Sequence, residues 1–163
     1  MKNKYIRCSL FVTLLIIIDQ LSKYFIVKYI DINDSIILIK NFFEFTFITN
    51  KGAALGFLSN NLVLLILISM ILVWYIIKEI KGNIKNKITL LSLSLILSGA
   101  LGNLIDRIFR GYVVDFISFK LFNHYMPIFN IADISITFGV IILIWITMKE
   151  ENKHDKKNRR KWY

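Results

Sequence analysis

A chain of 163 residues is long enough for one domain, and its 56% hydrophobic content exceeds the roughly 45–50% usual in soluble globular proteins, so lipid must solvate much of its surface. The single cysteine, Cys8, excludes an intrachain disulfide framework. A formal charge of +10 does not imply nucleic acid as a partner, because the basic residues sit mainly between apolar runs.

Four runs are long enough to cross a hydrocarbon core of roughly 30 Å. The first extends from about Cys8 to Ile30 and is interrupted by Asp19, Gln20, Ser22, Lys23 and Lys28. Lys2, Lys4 and Arg7 precede it as they would in a signal peptide, but no small-residue cleavage site follows, so it reads as an uncleaved span. Asp19 and Lys23 stand four residues apart on one helix face, where a salt bridge is the simplest reading. The following segment, 31–59, contains two β-rich stretches, Ile36 to Ile39 and the alternating Phe43 to Thr49. They predict a small sheet turning at Lys40 and Asn41, with Phe side chains resting on lipid headgroups.

The second span, Leu62 to Ile77, extends backwards through Phe57 and Leu58 and is almost entirely Leu, Ile and Val, a lipid-facing composition. The third, Ile88 to about Ile108, carries Ser92, Ser94, Ser98, Gly99, Gly102, Asn103 and Asp106. Ser92, Gly99, Asn103 and Asp106 share one helix face, which predicts an interior-facing polar stripe; close helix packing alone would explain the glycines. Asp106 and Arg107 are neighbours, diverge, and need separate partners. Arg110 and Gly111 then make a turn before an extended run, Tyr112 to Phe119, that contains Asp115. A lone acid in a strand reads first as a residue facing water. Beyond Pro127, Asn130 and Asp133 open the fourth span, Ile131 to Met148, as a cap and a first-turn acid. Residues 149–163 form a basic tail.

Of the 21 Lys and Arg residues, 14 lie at the N-terminus, between spans two and three, or in the C-terminal tail. The positive-inside rule therefore puts both termini in the cytoplasm. The polar ends of spans one, three and four, with Asp19, Lys23, Asn103, Asp106, Arg107 and Asp133, then converge at the outer boundary. A charge within hydrocarbon costs roughly 2.5–3.5 kcal/mol on insertion scales and persists where it is paired, hydrated or functional. That convergence predicts a site.

Asp115 on its strand and Asp133 at its helix start would bring two carboxylates together at this boundary. Such a pair shares a proton, so one member can activate water while the other polarises a carbonyl, which suffices for amide hydrolysis without a metal. Neither a metal nor a cofactor is expected: HExxH is absent, His124 and His154 fall on opposite sides of the membrane, adjacent Ser22 and Lys23 diverge on a helix, and no GxSxG elbow occurs. The competing reading is a small proton-coupled transporter or lipid-binding membrane protein, since buried acids also mark ion paths. Confinement of the polar groups to one end favours hydrolysis.

Four ordered blocks carry a resemblance: Asp19-Gln-Leu-Ser-Lys23; Asn50-Lys-Gly-Ala-Ala-Leu-Gly56; Gly99-Ala-Leu-Gly-Asn-Leu-Ile-Asp-Arg107; and Val113-Val-Asp-Phe-Ile117 with Phe129-Asn-Ile-Ala-Asp133. In these the chain resembles the lipoprotein signal peptidase family, or type II signal peptidases. The resemblance implies an intramembrane aspartic endopeptidase that removes the signal peptide of a prolipoprotein by cutting before its diacylglyceryl-modified cysteine. The implied dyad is Asp115 and Asp133, with Asp19, Lys23, Asn50, Gly52, Asn103, Arg107, Asn130 and Ala132 in the cleft or supporting it. Asp106 joins them from the polar face of span three, and Asn103 and Arg107 are expected to hold substrate backbone or headgroup.

The implied fold is a membrane all-α protein with a small β element: four transmembrane helices, an extracytoplasmic β-cradle and a further short external helix, in one peptidase domain over 1–163. The implied location is the bacterial cytoplasmic membrane, with the site at its outer face. Expected partners are lipid-modified prolipoproteins and membrane lipids, and a monomer is compatible with all of this. Leu55 departs from the family pattern, which often has an aromatic residue there.

Overall fold

A computed structural model describes residues 2–52, 61–83, 86–122 and 124–159. Among them are four helices long and apolar enough to cross a membrane: α1 (Lys2–Tyr29), α2 (Leu62–Gly82), α3 (Lys87–Arg110) and α4 (Ile131–Arg159). Helices satisfy every backbone group within the segment, which a hydrocarbon solvent demands. Their starts are encoded locally. The Asn61 side chain accepts from the Leu64 amide at the head of α2, and Asn86 accepts from the Ile88 and Thr89 amides at the head of α3. Gly111, at φ +79°, ends α3 in the left-handed region that glycine tolerates.

The spans fall where hydropathy puts them, with two extensions. The helix of α1 begins at Lys2 rather than near Cys8, and α4 runs past Met148 to Arg159. Residues 149–159 are polar, but neither glycine nor proline interrupts them, so a helix already nucleated in the span propagates. Phe57, Leu58 and Leu55 lie outside the described residues, and the further short external helix is not found among those described.

The helix at the centre is α3, which packs against each of the other three. Its apolar window is 61% buried, against 17–22% for the other spans. The small residues of its inner face let backbones approach closely. A Cβ on Gly102 would come within 2.6 Å of the Asp19 carboxylate, and one on Gly139 of α4 within 2.6 Å of the Ile96 side chain. Ser92 Oγ donates to the Gly139 carbonyl at 2.8 Å. The interior-facing stripe is therefore real, and its glycines are contact points. One apolar cluster, with Val12, Ile76, Ile80, Leu93, Ile96 and Leu97, ties α1 and α2 to α3 in the half of the bundle remote from the sheet.

At the other end sits an antiparallel sheet in the order β1 (Ser35–Ile39), β2 (Phe43–Asn50), β3 (Val113–Leu121), β4 (His124–Tyr125). The tight connection between β1 and β2 uses Asn41 at φ +61°. Strand β2 sets Ile48 opposite Asp115 and Asn50 opposite Val113, with an irregularity between Phe45 and Ile48. Beneath the sheet Ile26, Ile30, Phe47, Val114 and Phe116 form a second apolar cluster that fastens it to the top of α1. Phe47 thus differs from the expectation of Phe residues lying on headgroups: it is buried against α1. The aliphatic side chains of β1, Ile36 to Ile39, are exposed.

Candidate active site

Two polar clusters occupy the sheet-proximal end of the bundle. The first centres on Lys23, which has no exposed surface. Its ammonium donates to Asp19 Oδ2 at 2.9 Å, Asp106 Oδ2 at 2.9 Å and Asn103 Oδ1 at 3.1 Å, so all three of its N–H groups are used. The expected Asp19–Lys23 pair exists, and Asp106 completes it as a triad. Asp19 Oδ1 also accepts the Ala132 amide at 2.9 Å, which holds the start of α4 against α1. Asp106 accepts the Val114 amide at 3.2 Å and Arg110 Nε at 3.3 Å, tying the foot of β3 to α3.

Gln20, read from the sequence only as one of the polar interruptions of the first span and given no role, belongs to the same cluster. Its Nε2 lies 3.1 Å from Asp19 Oδ2, 3.1 Å from the Gly102 carbonyl and 3.2 Å from Asp106 Oδ1. The signal for it was a third polar residue beside Asp19 within an apolar span.

The second cluster contains the two aspartates. Asp115 is 4% exposed, which overturns the reading of a strand residue facing water. The reversal is tertiary in origin: Asn50 Nδ2 of β2 donates to its Oδ2 at 2.8 Å, and Asn130 Nδ2 to its Oδ1 at 2.7 Å. Asp133, in the first turn of α4, accepts Asn103 Nδ2 at 2.8 Å and the Asn130 amide at 3.1 Å, while its own amide donates to Asn130 Oδ1 at 3.0 Å. The cap expected at Asn130 is present, and the structure adds that it is reciprocal. The fully buried Asn130 therefore serves both acids at once, and its Nδ2 also lies 3.2 Å from Asn103 Oδ1.

A polarity argument links the clusters. The Lys23 ammonium can only donate, so it fixes the oxygen of Asn103 toward itself and leaves the Asn103 NH2 for Asp133. Lys23 thereby sets the orientation of a group that touches an acid it does not itself contact.

Both aspartates open onto a cavity of about 460 Å³ between α2, α3, α4 and the sheet. Asn50, Asn103 and Arg107 line its polar end; Ser69, Leu72, Ala100, Ile136 and Thr137 line the part reaching into the bundle. Arg107 lines the cavity and donates to the Gly52 carbonyl at 3.2 Å, while the Gly52 amide donates to Asn50 Oδ1 at 2.9 Å. That link orients the Asn50 amide so that its NH2 meets Asp115. As predicted, Arg107 and its neighbour Asp106 find separate partners. Gly52 and Ala132 contribute through their backbones alone.

Burial pushes the Asp115 carboxyl up to about 6, and the nearby Asp133 charge adds to the rise, against the amide donors of Asn50 and Asn130 and the Lys23 charge. Asp115 therefore titrates close to neutrality, beside the side chain of Asp133.

The sequence matches the family model described as Signal peptidase (SPase) II over residues 11–149. A lipoprotein signal peptidase of Clostridium tetani is 44% identical over 144 residues, covering 87% of this chain and 92% of that protein. One from Staphylococcus haemolyticus is 41% identical over 159 residues, covering 94% of this chain and 99% of that protein. A solved structure described as a bacterial membrane enzyme superposes with a TM-score of 0.82 at 37% identity, covering 90% of each chain. On this similarity, spread across the helices and the sheet alike, the chain belongs to the signal peptidase II family and is a multi-pass membrane peptidase.

Proposed function

We propose that this peptidase is an aspartic endopeptidase that removes signal peptides from prolipoproteins by cutting before the diacylglyceryl-modified cysteine, with Asp115 and Asp133 as its catalytic pair. The observation that carries the reading is Asn130: one buried side chain hydrogen-bonds Asp115 and caps the helix bearing Asp133, so two acids from distant segments meet at one cavity. Asp115, the buried acid, holds the shared proton and gives it to the scissile carbonyl oxygen. The Asp133 carboxylate takes a proton from the attacking water and passes it to the leaving nitrogen as the tetrahedral intermediate collapses. On the same collapse the hydroxyl that received the Asp115 proton returns it to Asp115, so the pair ends the turnover with the one proton it started with. Asn103 and Arg107 hold substrate backbone or headgroup, while Asp19, Lys23, Asn50, Gly52, Asp106, Asn130 and Ala132 keep the cleft in shape.

The lipid supplies much of the recognition. Each buried acyl methylene contributes about 0.8 kcal/mol, so a diacylglyceryl group holds the substrate in the bilayer while the scissile amide reaches the boundary where the acids lie. In this reading residues 1–163 form one membrane-embedded domain with a basic cytoplasmic tail. Both termini are cytoplasmic, and the cleft opens at the outer face of a bacterial cytoplasmic membrane.

Purified protein incubated with matched lipidated and non-lipidated precursors tests this directly, with the mass of the released peptide fixing the scissile bond. The expected result is cleavage before the lipid-bearing cysteine, strong preference for the lipidated precursor, and no loss in chelator. Equal rates on the two precursors, or a chelator loss that zinc restores, would overturn it.

A further inference from the structure

The end of the bundle remote from the acids has a second built cavity that the peptidase reading does not use. It measures about 300 Å³ and lies between α1 and α3. Lys4, Arg7 and Phe11 of α1 stand at i, i+3 and i+7, hence on one face; Lys87, Leu90 and Leu91 of α3 stand at i, i+3 and i+4, again on one face. Where the floor closes, Cys8 Sγ and Ser94 Oγ meet at 3.0 Å. The cations sit at the helix ends and the apolar residues about one to two turns deeper, so polarity changes along the cavity as it does along a lipid. At a rise of about 1.5 Å per residue, Lys4 lies roughly 22 Å along α1 from Asp19, at the opposite boundary of a hydrocarbon core of roughly 30 Å. No acidic side chain lines the cavity among the described residues.

We propose that this cleft is a binding site for one anionic glycerophospholipid of the leaflet at that end, with its phosphate between Arg7 and Lys87 and an acyl chain along Phe11, Leu90 and Leu91. Basic pockets between transmembrane helices take such headgroups because charge attraction and hydrophobic burial act on the same molecule. The site is separate from the acids, and its occupant is not a substrate. It wedges α1 against α3, the two helices whose far ends carry Lys23 and Asn103.

Native mass spectrometry of the full chain, titrated with phosphatidylglycerol or with phosphatidylcholine of the same acyl length, tests the proposal. The expected result is one phosphatidylglycerol retained in preference to phosphatidylcholine. At roughly fivefold in affinity per cation, the Arg7→Gln/Lys87→Gln double variant should bind it about 25-fold more weakly. Lys78→Gln, a loss of charge at the same end of the bundle but outside the cleft, should bind normally. Leu91→Trp, which fills the apolar part and changes no charge, should also weaken binding, and it serves as the deciding variant if the double variant does not fold. Four results would overturn the proposal: equal retention of the two lipids, equal weakening by Lys78→Gln, normal binding by Leu91→Trp, or displacement of the lipid by inorganic phosphate at matching concentration.

Discussion

The two polar clusters at the sheet-proximal end are built from the same residue types yet differ in charge balance. Around Lys23 the charges close: two carboxylates face one buried ammonium, and Arg110 reaches one of those carboxylates from the edge. Around Asn130 they do not: among the described residues the hydrogen bonds to Asp115 and Asp133 come from amide donors, Arg107 faces the two acids as a single cation, and both acids open onto a cavity. Hydrogen bonds between charged groups and backbone amides of four segments make the first cluster a fixed joint between α1, α3, β3 and α4. The second cluster opens onto a cavity and contains Asp115, which titrates at about 6 and can exchange protons with a substrate. The difference teaches that the partners of an intramembrane acid, more than its depth, separate a joint from a candidate catalyst.

Breaking the joint should give the largest effect on folding. Lys23→Met leaves Asp19 buried without its cation and Asp106 with only the half-buried Arg110, and removing one partner of a buried ionic set costs roughly 3–5 kcal/mol. Thermal unfolding in detergent should show a large drop in Tm, and activity should fall with folded fraction and with the orientation of Asn103. An unchanged Tm would mean that the joint is not what holds these elements together.

A smaller effect sharpens the other side of the comparison. The Asp115 carboxyl titrates at about 6 in the folded chain against 3.8 for the unperturbed group. The folded state therefore binds more protons between these values. The contribution of Asp115 to stability is fully present below about pH 4 and is lost as pH rises through about 6. Tm of the wild type should accordingly fall relative to that of Asp115→Asn across this window. Parallel curves for the two proteins would contradict the environment assigned to Asp115.

Much of this contrast was legible in the sequence, and the part that was not has a definite cause. The spans were readable because apolar runs report their solvent directly, and the β-strands because Phe43 to Phe47 alternate. The Asp19–Lys23 pair followed from helix spacing, and the Asn130–Asp133 cap from local chemistry. The burial of Asp115 could not be read locally, because it is produced by Asn50, 65 residues away, and by Asn130, 15 residues away. The joining of Asp106 to Lys23 across 83 residues and the role of Gln20 were hidden for the same reason. Phe47 was misplaced because alternation gives the face of a strand but not what covers that face. The ordered blocks, not the spacing, assigned the roles of catalyst and support.

The measurement that bears most directly on the proposed mechanism is signal-peptide release from a diacylglyceryl-modified precursor by wild type, Asp115→Asn and Asp133→Asn, each shown to be folded by its Tm in the same detergent. General acid–base groups are worth about 10²–10⁴ in rate, and both variants should lose activity by about a thousandfold while remaining folded. Substantial activity in either folded variant would contradict the catalytic pair.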